Sequence, residues 1–242
     1  MSTVFNFTFV PWFRSVAPYI HKFRNQTFVV GVPGEAIAAG KLPNLVQDLA
    51  LIQSMGVRIV LVHGFRPQVN EQLHAKGHEA HYHHGVRITD SVALDCAQEA
   101  AGQLRYEIEA AFSQGLPNTP MAGATVRVLS GNFITARPLG IVDGIDYQHS
   151  GVVRRVDVAG IMRTLDMGAL VLISPFGFSP TGEAFNLSME EVATSVSVAL
   201  QADKLIFLTE VPGIRTRPAE PASDDNPLSL IHISEPTRPR LI

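Results

Sequence analysis

The chain has 242 residues, 46% of them hydrophobic and 17% charged, with a formal net charge of −3. That length allows one large α/β domain or two small ones with a substantial core, and the charge argues against nucleic acid as a principal partner. No apolar run approaches the roughly 20 residues of a membrane span, and the N-terminus lacks a signal-peptide layout. Membrane association and secretion are not expected. The single cysteine, Cys96, leaves no disulfide framework, which fits a reducing cytoplasm.

In chain order, residues 11–23 place Trp12, Phe13, Val16, Tyr19, Ile20 and Phe23 at helical spacing, giving one apolar face. This leading helix precedes the first strand, so it serves either its own domain or docking onto another subunit. Residues 27–32 read as a strand, and 42–55 as an amphipathic helix ended by Gly56. A near-continuous apolar run at 58–62 suits a buried parallel strand, and Pro67 opens a helix to residue 76. A histidine-rich hairpin follows, then a long helix over 91–113 with Thr89 or Asp90 as its N-cap. Shorter, partly antiparallel strands are predicted at 124–129, 133–138 and 151–156. Asp157 caps a helix through Asp166, and 169–174 is another buried strand. Ser188 and Glu191 form a capping box, S-x-x-E, for a helix to about Ala202, and 204–208 is a last strand. This alternation implies an open, mainly parallel sheet covered by helices on both faces.

The end of the chain breaks the pattern. Residues 228–242 read LSLIHISEPTRPRLI, without periodicity and with recurrent proline. The run Leu228 to Arg238 resembles the translation of a transposase adapter used in sequencing libraries. The expectation is a loop and non-native tail over 218–242, attached to a natural protein that is longer.

Ligands of open α/β sheets bind at the carboxyl ends of the strands, and those ends hold the candidate site. After the first strand comes Gly31-Val32-Pro33-Gly34-Glu35, where a phosphate-handling enzyme of this architecture presents a lysine and a flexible glycine pair. Lysine would supply a compact positive charge to a phosphoryl group. Glycine would let backbone N–H groups close on phosphates, whereas proline has no N–H and a fixed φ. After the second strand, Gly64 permits close backbone approach, and Arg66 stands near a helix N-terminus that itself favours anions. Arg87 is a second guanidinium suited to carboxylate recognition. With Asn186 and Glu190 at a later strand end, these residues point to a small carboxylated ligand; for either arginine alone, a local ion pair is the competing reading. His74, His78, His81, His83 and His84 follow no metal-ligand spacing, so a polar hairpin is expected and no metal site. Arg154 and Arg155 read as a solvated or ion-paired strand edge, and Cys96 as packing.

From Trp12 to about Gly213 the chain resembles the amino-acid-kinase-like domain of bacterial N-acetylglutamate synthases. The segments carrying the resemblance are WFRSVAPYI (12–20), GEAI (34–37), HGFRPQ (63–68), GVRITD (85–90), SGNFITARPLG (130–140), DGIDYQHSG (143–151), VRRVD (153–157) and TGEAFNLSMEEVA (181–193). The resemblance implies a three-layer α/β/α sandwich of the amino-acid kinase type over 26–217, preceded by an N-terminal helix segment over 1–25. In that family a separate acetyltransferase domain transfers acetyl from acetyl-CoA to the amine of L-glutamate, opening arginine biosynthesis. L-arginine binds the kinase-like part as feedback inhibitor.

The related N-acetylglutamate kinases would have Lys near Gly31, Gly at Pro33, two or three glycines after His63 where this chain has Gly64, Phe65 and Arg66, Asn near Ser188 and Asp near Glu190. This chain retains Gly34, Gly64, Arg87, Asn186 and the nucleotide-loop-like LTEVPG (208–213). The resemblance therefore implies a vestigial kinase cleft lined by Gly34, Gly64, Arg66, Arg87, Asn186 and Glu190, with no catalytic residue, and Tyr19 as an arginine contact. No acetyl-CoA loop of the form [Q/R]-x-x-G-x-[G/A] occurs in residues 1–227. The acetyltransferase domain is thus expected to be absent, acetyl-CoA to serve only that missing domain, and this part to form a homo-oligomer. The alternatives are an active N-acetylglutamate kinase using ATP, and an amino-acid-binding module unrelated to arginine.

Overall fold

The structure, a computed structural model, describes residues 9–116, 122–209 and 232–234. Helix α1 (Phe9–Phe23) leads into β1 (Thr27–Val32), the short α2 (Gly34–Ala38) and α3 (Leu42–Ser54). Next come β2 (Arg58–His63), α4 (Arg66–Ala75), the hairpin β3 (His81–His83) and β4 (Val86–Ile88), and the long α5 (Ser91–Ser113). Strands β5 (Val128–Ser130), β6 (Ile134–Pro138), β7 (Ile141–Val142), β8 (Ile145–Asp146) and β9 (Gly151–Val156) precede α6 (Val158–Asp166). The described chain closes with β10 (Leu170–Ile173), β11 (Phe176–Phe178), β12 (Ala184–Asn186), α7 (Met189–Leu200), β13 (Lys204–Phe207) and β14 (His232–Ser234).

The main sheet runs β14-β13-β1-β2-β10-β5, parallel throughout except for β14. Side chains alternate across a strand, and here the alternation divides the core in two. Phe28, Val30 and Val32 of β1, with Ile59 and Leu61 of β2, pack under α3, α4 and α5. Val29, Val60 and Val62 face the other way, onto Ile161 and Leu165 of α6 and Val192, Ala193 and Val196 of α7. Because both faces of these strands are covered, they read as unbroken apolar runs. The result is the expected three-layer α/β/α architecture with a mainly parallel sheet. A smaller sheet, β12-β11-β6-β9, lies on the α6/α7 side, with Ile134, Ala136 and Phe185 in that core.

Four local differences have physical causes. The strand expected at 124–129 is only Val128–Ser130, because β10 offers Leu170, Val171 and Leu172 as its partners and nothing further. The β7–β8 hairpin was not anticipated, although Asp143 and Gly144 (φ 52° and 79°) are the Asp-Gly pair that a two-residue turn with positive φ requires. Ser188 caps α7 by accepting from the Glu191 N–H (3.3 Å), but Glu191 does not complete the box. Its carboxylate instead accepts from the Val153 N–H at 2.8 Å, tying α7 to β9, and burial pushes its pKa up against that bond. Lastly, three residues of the tail pair antiparallel with β13 as β14. An edge strand presents unpaired N–H and C=O groups that accept an extended segment with little regard to sequence. The remainder of 210–242, including most of LTEVPG, lies outside the described residues.

Candidate functional site

At the carboxyl ends of β1, β2 and β10 a cleft of about 180 Å³ opens. It is lined by Gly34, Gly64, Arg66, Arg87, Asn186 and Glu190, so the structure brings together every residue assigned to the cleft from sequence. Tyr19 is not among the lining residues and is 64% exposed on α1. It precedes β1, whereas the cleft lies beyond that strand's other end.

The floor is a close backbone junction between the turns that follow β1 and β2. The Gly64 N–H donates to the Val32 carbonyl at 2.7 Å, and a Cβ on Gly64 would stand 2.9 Å from the Gly34 nitrogen. No side chain fits there. Gln68 Nε2 donates to the Gly34 carbonyl at 3.0 Å, fastening the turn to α4. Below, His63 is fully buried. Its Nδ1 lies 3.3 Å from the Gly64 carbonyl, which only accepts, so Nδ1 carries the proton and Nε2 accepts from the Ser174 hydroxyl at 2.8 Å. Burial pushes the imidazole pKa down to about 4, with the Gly64 bond opposing, so the ring is neutral at pH 7.

Gly31 explains the missing lysine physically. A Cβ built there would lie 2.6 Å from the Phe207 ring and 2.8 Å from the Met189 sulfur. The volume a lysine stem would cross is filled by two apolar side chains.

The opposite wall is cationic. The Arg87 guanidinium sits 4.8 Å from the centre of the Tyr82 ring, and Arg66 reaches 5.8 Å from the same ring. Arg87 Nη2 donates to Asn70 Oδ1 at 2.7 Å, which also accepts from the Tyr82 hydroxyl at 2.9 Å. Arg87 Nη1 is buried with no partner. Desolvation lowers the Arg87 pKa, and the charge of Arg66 pushes the same way. No carboxylate pairs with either arginine among the described residues.

A one-way donor chain holds this wall. Asn186 Nδ2 donates to Thr89 Oγ1 (3.0 Å), Thr89 and Ser150 hydroxyls are 2.8 Å apart, and Ser150 donates to the Arg87 carbonyl. Since Ser150 spends its only proton on that carbonyl, Thr89 must donate to Ser150. All three side chains are buried, and the chain links β12 to the strand bearing Arg87. Thr89 therefore serves this network, and Asp90 is the cap of α5, accepting from the Ala93 N–H at 2.8 Å.

Sequence reasoning missed Tyr82, Glu35, Met189 and Phe207. Glu35 adjoined a residue already singled out. The other three were hidden because their roles depend on contacts across the fold. Among the described residues no three His, Cys, Asp or Glu side chains group as metal ligands, and no helix is long and apolar enough to cross a membrane. Cys96 is buried in the α5 core. Arg154 and Arg155 are exposed on β9 with Asn132 and Phe178 nearby.

An open, mainly parallel sheet covered by helices on both faces, with its cleft at the carboxyl ends of the strands, defines the class of doubly wound α/β proteins. The chain belongs to the amino acid kinase family, whose model matches residues 26–238. It is 60% identical over 209 residues to an amino-acid acetyltransferase of Ralstonia nicotianae, covering 86% of this chain and 46% of that protein. Against an amino-acid acetyltransferase of Pseudomonas fluorescens the identity is 51% over 206 residues, covering 85% and 48%. The chain thus spans about half the length of the curated relatives it matches. Among solved structures it superposes on an N-acetylglutamate synthase from Neisseria gonorrhoeae, complexed with coenzyme A and L-arginine, with a TM-score of 0.80 and 41% identity, covering 86% of this chain and 49% of that one. A carbamate kinase from Giardia lamblia shares the fold alone, with a TM-score of 0.54 at 16% identity over 77% of this chain and 72% of that one.

Proposed function

We propose that the chain is the kinase-like part of an N-acetylglutamate synthase, serving regulation and assembly and transferring no phosphoryl group. The whole enzyme would move the acetyl group of acetyl-CoA onto the amine of L-glutamate, the first step of arginine biosynthesis, in the cytoplasm. That reaction belongs to a separate acetyltransferase domain. L-arginine is the expected feedback inhibitor, with Tyr19 on α1 as a contact, and the assembly is a homo-oligomer. The relatives named amino-acid acetyltransferases support the parent activity, and the neighbour complexed with L-arginine supports the effector.

One observation carries the non-phosphorylating reading: Phe207 and Met189 occupy the space beside Gly31 where a lysine would have to extend. Phosphoryl transfer depends on positioned cations that offset charge on the transferred group. Here the groups facing that end are the carboxylates of Glu35 and Glu190. The test is ATP-dependent phosphorylation of N-acetyl-L-glutamate by the purified chain. No turnover is expected, and robust turnover would establish the kinase alternative instead. For the effector, calorimetry on the full-length synthase with arginine, lysine and glutamate should give selective arginine binding that Tyr19→Ala weakens. Absence of arginine binding would refute the feedback role.

A further inference from the structure

The outward face of the small sheet carries a second depression, of about 600 Å³, which shares no residue with the strand-end cleft. Arg154 and Arg155 of β9, Thr135 of β6, Phe178 of β11 and Asn132 line it, and no acidic residue does.

Strand register sets three of these side by side. Phe178 pairs with Thr135 across β11 and β6, and Thr135 pairs with Arg155 across β6 and β9. Directly opposed residues project from the same face, so a ring, a hydroxyl and a guanidinium form one row. With strands about 4.8 Å apart, roughly 10 Å separates the backbone of Phe178 from that of Arg155. A β-bulge adds a fourth member. Arg155 opposes Thr135 while Val153 opposes Ala136, which leaves Arg154 as the extra residue on β9. Strict alternation would send Arg154 towards the core that holds Ile134 and Ala136. The bulge turns it out instead, and both guanidiniums line the depression.

Neither arginine is compensated. The ion pairs among the described residues involve neither. Asp157, the nearest carboxylate in sequence, accepts from the Gly160 N–H as the cap of α6. Phe178 is 47% exposed, with its ring held edge-on by Phe176 at 5.7 Å. Charges and a bulge on an edge strand also serve to keep it from pairing with other chains, and β9 is such an edge. That purpose does not call for a large aromatic ring exposed two strands further in.

Two adjacent guanidinium forks suit a dianionic phosphate, which accepts bidentate, charge-assisted hydrogen bonds. An exposed ring suits a base, because every base has a π-face to stack on it. The volume of about 600 Å³ lies within the range of small-molecule sites. We propose that the outward face of the small sheet binds a nucleoside monophosphate, with its phosphate on Arg154 and Arg155 and its base on Phe178. No carboxylate or histidine lines the depression to act as a general base, so the ligand is bound without being consumed.

The experiment is calorimetric titration of the 242-residue chain, without divalent metal, with AMP, adenosine, ribose 5-phosphate and a polyglutamate peptide. AMP carries phosphate and base together, and adenosine and ribose 5-phosphate carry one each. AMP should bind about tenfold more tightly than any of the other three. Arg154→Gln and Arg155→Gln should each weaken AMP about fivefold. Phe178→Leu should bring AMP down to the level of ribose 5-phosphate and leave ribose 5-phosphate unaffected. All three positions are exposed, so thermal unfolding should not change. The proposal is overturned if AMP does not bind, if ribose 5-phosphate binds as well as AMP, or if AMP binding survives both arginine substitutions, which would place the nucleotide elsewhere on the chain. Tighter binding of the peptide than of AMP would also overturn it, and would make this face a docking surface for an acidic protein segment.

Discussion

A lysine introduced at Gly31 would begin at a Cβ 2.6 Å from the Phe207 ring, so the side chain must displace Phe207 and Met189 before it reaches the cleft. Overpacking of this kind costs about 1–3 kcal/mol. Gly31→Lys is therefore expected to lower stability by that amount in urea unfolding and to leave ATP turnover of N-acetyl-L-glutamate undetectable. Turnover comparable to a working kinase would show that the lysine alone was lacking. His63 makes a second residue-level prediction. Its pKa is about 4 in the folded chain against about 6.5 unfolded, so below pH 6.5 the unfolded state binds the extra proton. The stability His63 protects is full above pH 6.5 and declines as pH falls towards 4, by on the order of 3 kcal/mol. His63→Gln should flatten that part of the pH–stability curve, and an unchanged slope would assign it to other groups. Residues at strand ends were legible in the sequence because glycine, arginine and asparagine there have few structural uses. Phe207 and Met189 were not legible: each reads as ordinary core until the fold sets it against Gly31.

Elements with strong local signals appear where the sequence puts them. Both faces of β1, β2 and β10 are buried, so their apolar runs are unambiguous, and Asp90 and Asp157 cap the helices that follow them. Elements defined by pairing are less visible. β11 is three residues long and extends antiparallel along β12, with nothing in its composition to mark it. The capping box at Ser188 failed for a related reason, since the Val153 N–H competes for Glu191 from a strand remote in sequence. The α5 cap gives the element-level prediction. Asp90 accepts from the Ala93 N–H and lies 2.7 Å from His78 Nε2, so Asp90→Ala should destabilise by about 1 kcal/mol, within a range of 0.5–2. Asp90→Asn keeps a good cap and should retain most of that stability. If the two variants lose equally in urea unfolding, the contact with His78 dominates over the cap.

At the scale of the whole molecule, the leading helix is only partly used by its own domain. Val16, Ile20 and Phe23 are half-buried, and Phe23 meets Phe28 edge-on at 5.5 Å. Trp12, Phe13 and Tyr19 remain 60%, 48% and 64% exposed. Large apolar side chains gathered on one helix mark an interaction surface more often than scattered ones do. A homo-oligomer built through α1 would cover them and bring Tyr19 to a subunit boundary, the place where an effector can bias two global states. Deleting residues 1–25 tests this directly. The shortened chain loses the Phe23 contact with Phe28 but keeps the packing of Phe28, Val30 and Val32 under α3, α4 and α5, so it should remain folded by circular dichroism. Its mass by light scattering should fall to a smaller oligomer or a monomer. A folded variant of undiminished mass would confine α1 to its own domain, and any inhibition by arginine would then have to travel by another route.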